Sequence, residues 1–317
     1  MARGRQITAV IEVEFCTAGT AAEEFFKKNK IKNLSVETQK DYFYTVNPFV
    51  LWYGADNPVH KIDAKIIDKY TEYKLDNGLK MVSIASLLKH IRRFINFCAE
   101  RNYLKKFEVE IPKVEEELKD PYTPEEMKKL LKRPTSDNWV EWRNWCLVNY
   151  FYSTGQRLST VINLKRSDLD IENKRIKLRH NKDKKPKYMP LSTAIVKVLE
   201  EYLRLSGLDD EDYLFPEYEG GQLKKRSIED AIKDYNTSRG VTKTSIHLFR
   251  HTFAKEYIMA GGNPAKLQKL LNHKTIDMTM KYVNLYGCDV ANDLDLYNPL
   301  DNIKRGTSTK TKRVKIG

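Results

Sequence analysis

The stretch PKVEEELKDPYTPEE, residues 112 to 126, sets the first limit on what this chain can fold into. Pro112, the cluster of glutamates and Pro121 predict a charged, extended linker over 111–122. Thr123 and Pro124 then predict the cap and first residue of a new helix. A chain of 317 residues divided there leaves two parts, each long enough to bury its own core.

The first part, 18–110, reads as a run of helices. Ser35 suits the N-cap of one, Asp63 opens another, and Asn77-Gly78 stops it. In MVSIASLLKHIRRFINFCAERN the residues Ile84, Leu87, Leu88, Ile91, Phe94 and Ile95 recur at helical spacing. The opposite side carries Lys89, Arg92 and Arg93, which suits either a solvated face or a helix that tracks phosphates. Ahead of these helices, QITAVIEVEF within the extension 1–17 alternates in the manner of a short strand.

The second part, 123–300, predicts a helix near 138–153 and a β-hairpin whose basic turn covers 180–186. Further helices are predicted near 193–205, 227–236 and 247–260. Asn263 and Pro264 predict the start of another. The expected fold class is mainly α, with a small β-sheet or hairpin in the second domain. The residues 301–317 read as a basic, flexible tail.

Charge narrows the function. Lys and Arg number 56 against 43 Asp and Glu, a net charge of +13 that favours a polyanion, because neutralised phosphates release condensed counterions. No apolar run approaches the roughly 20 residues of a membrane span, and no signal peptide is evident at the start. The 4 cysteines (Cys16, Cys98, Cys146 and Cys288) lack metal-ligand spacing, so no zinc and no disulfide framework is expected. A cytoplasmic, nucleoid-associated setting fits these features.

Four clusters in the second part suit cutting a phosphodiester without metal. They are TGQRLS with Arg157, the basic hairpin with Lys182, Lys184, Lys185 and Lys187, HLFRH with His247 and Arg250, and His273 followed by Tyr282. Two guanidiniums can hold the non-bridging oxygens of one phosphate and neutralise the charge of its transition state. An imidazole can take the proton of a phenol, whose ordinary pKa of about 10 leaves it a poor nucleophile at neutral pH. A lysine can protonate the departing alkoxide. Carboxylate clusters for Mg²⁺ and a GxxxxGK[ST] loop are both missing from these segments, so neither a metal nor ATP is expected, and no cofactor.

Together these stretches resemble the catalytic domain of the tyrosine recombinases, the phage-integrase family that includes the Xer recombinases. The matching segments are YTPEEMKKLL, YSTGQRLSTVINLKRSDLD, YMPLS, YLFP and HLFRHTFAKEYIMAGGNPAKLQKLLNHKTIDMTMKYVN. The helical first domain is similar to the core-binding domain of the same family. The resemblance implies a two-domain DNA clamp, with Arg157 and Arg250 on the scissile phosphate and Lys182 as general acid. It further implies His247 as assisting base, His273 on a phosphoryl oxygen and Tyr282 as the nucleophile forming a 3′-phosphotyrosyl bond. The implied partners are double-stranded DNA carrying two recombination sites, a homotetramer at the synapse, and in some systems an accessory DNA-bending protein. DNA contacts are expected at Lys89, Arg92, Arg93, Lys184, Lys185 and Lys187. In this chain Thr160 replaces a frequent acidic residue, Asn272 a usual glycine, and Phe249 a commoner leucine.

The expected activity is that of a site-specific recombinase or integrase of a mobile element. A non-cutting DNA-binding regulator, a topoisomerase-like relaxing enzyme and a housekeeping Xer-type recombinase stay open as alternatives. Within the last helix, Thr275 is expected as N-cap, and Ile276, Met280 and Val283 as the apolar stripe. That phasing sets Tyr286 at the core's edge and leaves Tyr282 freer to point away from it.

Overall fold

The computed structural model describes residues 16–114, 120–179 and 187–286. The chain divides into two compact units, Met1–Leu118 and Lys119–Gly317. Tyr122, at the end of the segment expected as linker, is buried in the second unit and stacks on Phe249 at 4.5 Å. The expected strand-like extension, the tail and Cys288 lie outside the described residues.

The first unit is built from α1 (Ala18–Ile31), α2 (Val36–Tyr53), α3 (Ala64–Asp76) and α4 (Met81–Glu100). Side-chain caps start the first three: Thr17, Ser35 and Asp63 each accept from a backbone N–H three residues on. The α4 stripe is buried as its periodicity requires, with Ile84, Ile91 and Phe94 fully enclosed. Phe25 of α1 meets the Phe94 ring edge-on at 5.6 Å, tying α1 to α4. On the outer side Lys89 and Arg93 are exposed and Arg92 is half-buried.

The second unit begins at α5 (Pro124–Leu130), where Thr123 and Glu126 form a capping box. Next come α6 (Trp139–Thr154) and the single turn α7 (Leu158–Val161). A sheet of β1 (Leu169–Asp170), β2 (Arg175–Leu178) and β3 (Lys187–Pro190) follows, antiparallel throughout in the order β1-β2-β3. The hairpin was expected; the short β1, paired through Leu169 and Ile176, was not. Two residues carry too little alternation to read as a strand.

Five helices complete the unit: α8 (Thr193–Ser206), α9 (Lys225–Ser238), α10 (Ile246–Met259), α11 (Pro264–Leu271) and α12 (Asp277–Tyr286). The α6 helix packs against α8, α9 and α10 and buries residues on most of its circumference. A small apolar cluster of Ala254, Ile258, Leu267, Leu271 and Tyr282 joins α10, α11 and α12. Among the described residues no helix is long and apolar enough to cross a membrane.

Candidate active site

The helix α6 ends at Gly155, which adopts a left-handed conformation at φ 58°. A Cβ there would come within 2.6 Å of Phe253 and 2.7 Å of Leu271, so the position needs glycine for space as well as for conformation. Its carbonyl accepts from Arg250 Nη1 at 2.7 Å, and the Leu271 carbonyl accepts from Arg250 Nη2 at 2.8 Å. Arg157, at the start of α7, donates through Nη1 to the same Leu271 carbonyl at 3.3 Å and to that of Asn272 at 3.2 Å. Two guanidiniums thus converge on one backbone oxygen.

This is how Arg157 is oriented with Thr160 standing where an acidic residue was frequent. Main-chain carbonyls do the work of the carboxylate. They can do so because Asn272 caps α11 in the left-handed region, φ 50° and ψ 51°, a conformation asparagine tolerates. Its side-chain Oδ1 also accepts from Lys187 Nζ of β3 at 3.2 Å.

Burial of an unpaired guanidinium costs several kcal/mol, and carbonyl dipoles offset only part of that. Accordingly, burial first and the neighbouring Arg157 second push Arg250 down to about 10. Neither arginine has a carboxylate partner among the described residues. The pair therefore forms a concentrated positive charge with anion-binding geometry.

His273 follows directly and is buried, its Nδ1 bonded to Thr279 Oγ1 of α12 at 2.8 Å. Burial, then Arg250, Arg157 and His251, push its imidazole down to about 4, so it is neutral at pH 7. Its ring lies nearly parallel to that of Tyr282, 5° apart with centroids at 6.4 Å. The Tyr282 hydroxyl bonds to Nδ1 of His251 on α10 at 2.8 Å. Burial raises the Tyr282 phenol, while the charges of Arg250 and Arg157 pull the other way.

The phasing of α12 differs from expectation. The helix begins at Asp277, and its buried residues are Thr279 and Tyr282, with Val283 and Tyr286 packed at the margin. Ile276 is 39% exposed, and Tyr282 only 6%. Both tyrosines face inward one turn apart, Tyr282 the more deeply. The misjudged stripe has a physical cause: the inner face of α12 meets both an apolar cluster and the buried His273, so Thr279 turns in where an apolar residue was sought.

Of the other expected positions, Lys182, Lys184 and Lys185 lie outside the described residues. Lys187 is on β3 beside Asn272. His247 sits on the first turn of α10, its imidazole lowered by loss of solvent first, then by Arg250, Lys225 and Arg157 against Glu229. Lys89, Arg92 and Arg93 belong to the first unit. The structure thus brings Arg157, Arg250, His273 and Tyr282 together. It adds His251, Thr279 and the Asn272 backbone, which were not singled out from sequence. The second histidine of HLFRH was the one available signal for His251.

Comparison with known proteins identifies the family. The profile of the phage integrase family matches residues 122–287. The chain belongs to that family. Tyrosine recombinase XerC of Chlamydia trachomatis is 29% identical over 206 residues, a match that spans 62% of this chain and 65% of the relative. XerD of Staphylococcus haemolyticus is 26% identical over 88% of this chain and 99% of its own length. In fold, the Tn1549 transposon integrase in complex with transposon right end DNA superimposes with a TM-score of 0.71. It shares 17% identity, and the match covers 92% of this chain and 99% of that one. A lambda integrase dimer bound to a core site gives 0.69 at 16% identity, over 84% of this chain and 95% of its own.

Proposed function

We propose that this chain is a site-specific DNA recombinase that cuts and rejoins strands through a 3′-phosphotyrosyl bond on Tyr282. The observation that carries this reading is the convergence of Arg157 and Arg250 on the Leu271 carbonyl, with Tyr282 and His273 packed beside them. In this reading the two guanidiniums clamp the scissile phosphate and stabilise its transition state. Thr279, donating to Nδ1 of His273, leaves Nε2–H of that neutral imidazole to bond a phosphoryl oxygen. Lys182 protonates the leaving 5′-oxygen. The covalent bond conserves the phosphodiester energy, so rejoining needs neither metal nor ATP.

The partner is double-stranded DNA, with Lys89, Arg92, Arg93, Lys184, Lys185 and Lys187 on its backbone. Four copies act at a synapse of two sites. The biological role proposed is integration or transposition of a mobile element, supported by the likeness in fold to a transposon integrase and a phage integrase. The curated relatives XerC and XerD keep a housekeeping role as the second reading.

A nicked suicide duplex tests the chemistry. The wild-type protein should become covalently attached to DNA, and Tyr282→Phe should not. Attachment by the Tyr282→Phe protein would sink the assignment. Sequencing junctions formed in cells separates the roles: junctions with one dimer-resolution site support Xer function, and junctions bounding a mobile segment support integration.

A further inference from the structure

We propose that His251 is a positioning residue that aims the Tyr282 hydroxyl at the phosphate held by the two arginines. The proposal rests on the recombinase reading above. It concerns where the nucleophilic oxygen is held, and it leaves to His247 the assisting-base role that the family resemblance implies.

The first ground is direct contact. Tyr282 Oη lies 2.8 Å from His251 Nδ1, and the two rings meet at 5.8 Å with a 43° tilt. The Tyr282 ring also lies within 5° of parallel to that of His273, at 6.4 Å. One imidazole sets the plane of the ring, and the other takes its hydroxyl. The second ground is the need for such a contact. Tyr282 packs in a small apolar cluster with Ala254, Ile258, Leu267 and Leu271, apart from the main core of the second unit. Apolar packing grips a ring without direction, whereas an attacking oxygen misplaced by about 1 Å can lose about 10²-fold in rate. The tyrosine is 6% exposed, so a rotamer that abandons His251 finds no bulk water in exchange. One hydrogen bond lost in that way is worth about three- to tenfold in population.

The third ground is the scaffold. His247, Arg250 and His251 stand at i, i+3 and i+4 on α10, so they share one face of that helix. His251 directly follows Arg250, whose guanidinium is fixed by the carbonyls of Gly155 and Leu271. Any displacement of α10 therefore carries the phosphate clamp and the anchor of the nucleophile together, and their separation is kept. An anchor on another helix would not do this.

The chemistry of the contact is that of an acceptor. A neutral imidazole with its hydrogen on Nε2 accepts through Nδ1, and the phenol O–H donates. Asparagine offers an oxygen at nearly the place of Nδ1, although it is smaller than histidine. Leucine fills about the same space as histidine and offers no acceptor. Comparing the two separates a hydrogen bond that aims the phenol from packing that merely supports it.

The test uses the full-length protein, isotope-labelled at tyrosine Cζ, and nicked suicide duplexes cut from the DNA flanking its own gene. In the DNA-free protein the NMR signal of Tyr282, assigned with Tyr282→Phe, should move in His251→Leu and stay near its wild-type position in His251→Asn. At saturating protein, His251→Leu should bind the duplex as the wild type does and form the covalent complex about 10–10²-fold more slowly. His251→Asn should recover most of that loss. A packing role predicts the reverse order, so a slower His251→Asn would overturn the proposal. Wild-type cleavage by His251→Leu would overturn it too, as would equal, large losses in both variants, which would mean that only an imidazole serves. An unmoved Tyr282 signal in His251→Leu, with normal attachment by the wild type, removes this proposal and leaves the recombinase reading standing. If the wild-type protein attaches to none of the duplexes, the recombinase reading fails and takes this one with it.

Discussion

The side chains enclosed beneath α4 in the first unit are mostly hydrocarbon, with Tyr42, Tyr70 and Cys98 among them, and Asn29 is the one buried residue with an amide or charged side chain there among those described. The second unit instead encloses Arg143, Gln156, Arg250, Thr252, His273 and Thr279 among its apolar residues. Apolar burial in the first unit is favourable wherever it occurs and tolerates small errors of placement. A buried guanidinium tolerates none, because each N–H that leaves water must meet an acceptor. The second unit meets that need with chain ends: the carbonyls of Gly155, Leu271 and Asn272 lie where α6 and α11 stop. The two guanidiniums of a chemical site can be held by backbone carbonyls, provided the helices end in the right places.

Substitutions can break this contrast. The largest effect is expected from Tyr282→Phe. It should abolish covalent attachment to DNA and cost only about 1 kcal/mol of stability, the worth of one hydrogen bond. Phe94→Ala, at a fully enclosed site of the first unit, should cost about 3–5 kcal/mol in urea denaturation. At permissive temperature it should leave the rate of strand cutting on bound DNA near normal. A cleavage defect comparable to that of an arginine variant would mean that the two units do not divide the labour. Arg250→Lys should slow cutting by about 10²–10³-fold, because one ammonium cannot span two carbonyls and a phosphate.

Acid should sharpen the contrast further. His273 titrates near 4 when folded against an ordinary 6.5, so the unfolded chain binds more protons between those values. Stability of the second unit should therefore fall as pH drops from 6.5 towards 4. His273→Gln should flatten the change in Tm across that window, and an unaltered slope would rule out His273 as its source. The smallest effect is expected from Asn272→Gly. Glycine accepts φ 50° and loses only the bond from Lys187, so stability should change by less than about 1 kcal/mol. Asn272→Val should do far more harm, because a β-branched residue resists the left-handed region.

Much of the scaffold was legible in the linear sequence. Ser35, Asp63, Thr123 and Asn263 cap helices as their positions predict, and the α4 stripe buries as its spacing requires. Caps and stripes are local: a side chain three residues away, or one helical turn, determines them. Arg157, Arg250, His273 and Tyr282 were singled out from order and residue type, and the fold brings them together.

What the sequence could not convey was how those groups are held. No spacing rule predicts that Arg157 rests on carbonyls 114 and 115 residues away, or that Tyr282 reaches a histidine 31 residues earlier. The inner face of α12 was misread because its partners are mixed, His273 against Thr279 and apolar residues against Tyr282, and hydrophobic periodicity senses only apolar surroundings. The residues alone determined two helical units and the chemical groups of the site. Tertiary structure decided which face of α12 turns inward and which imidazole meets the phenol, since both depend on what α10 and α11 place opposite that helix.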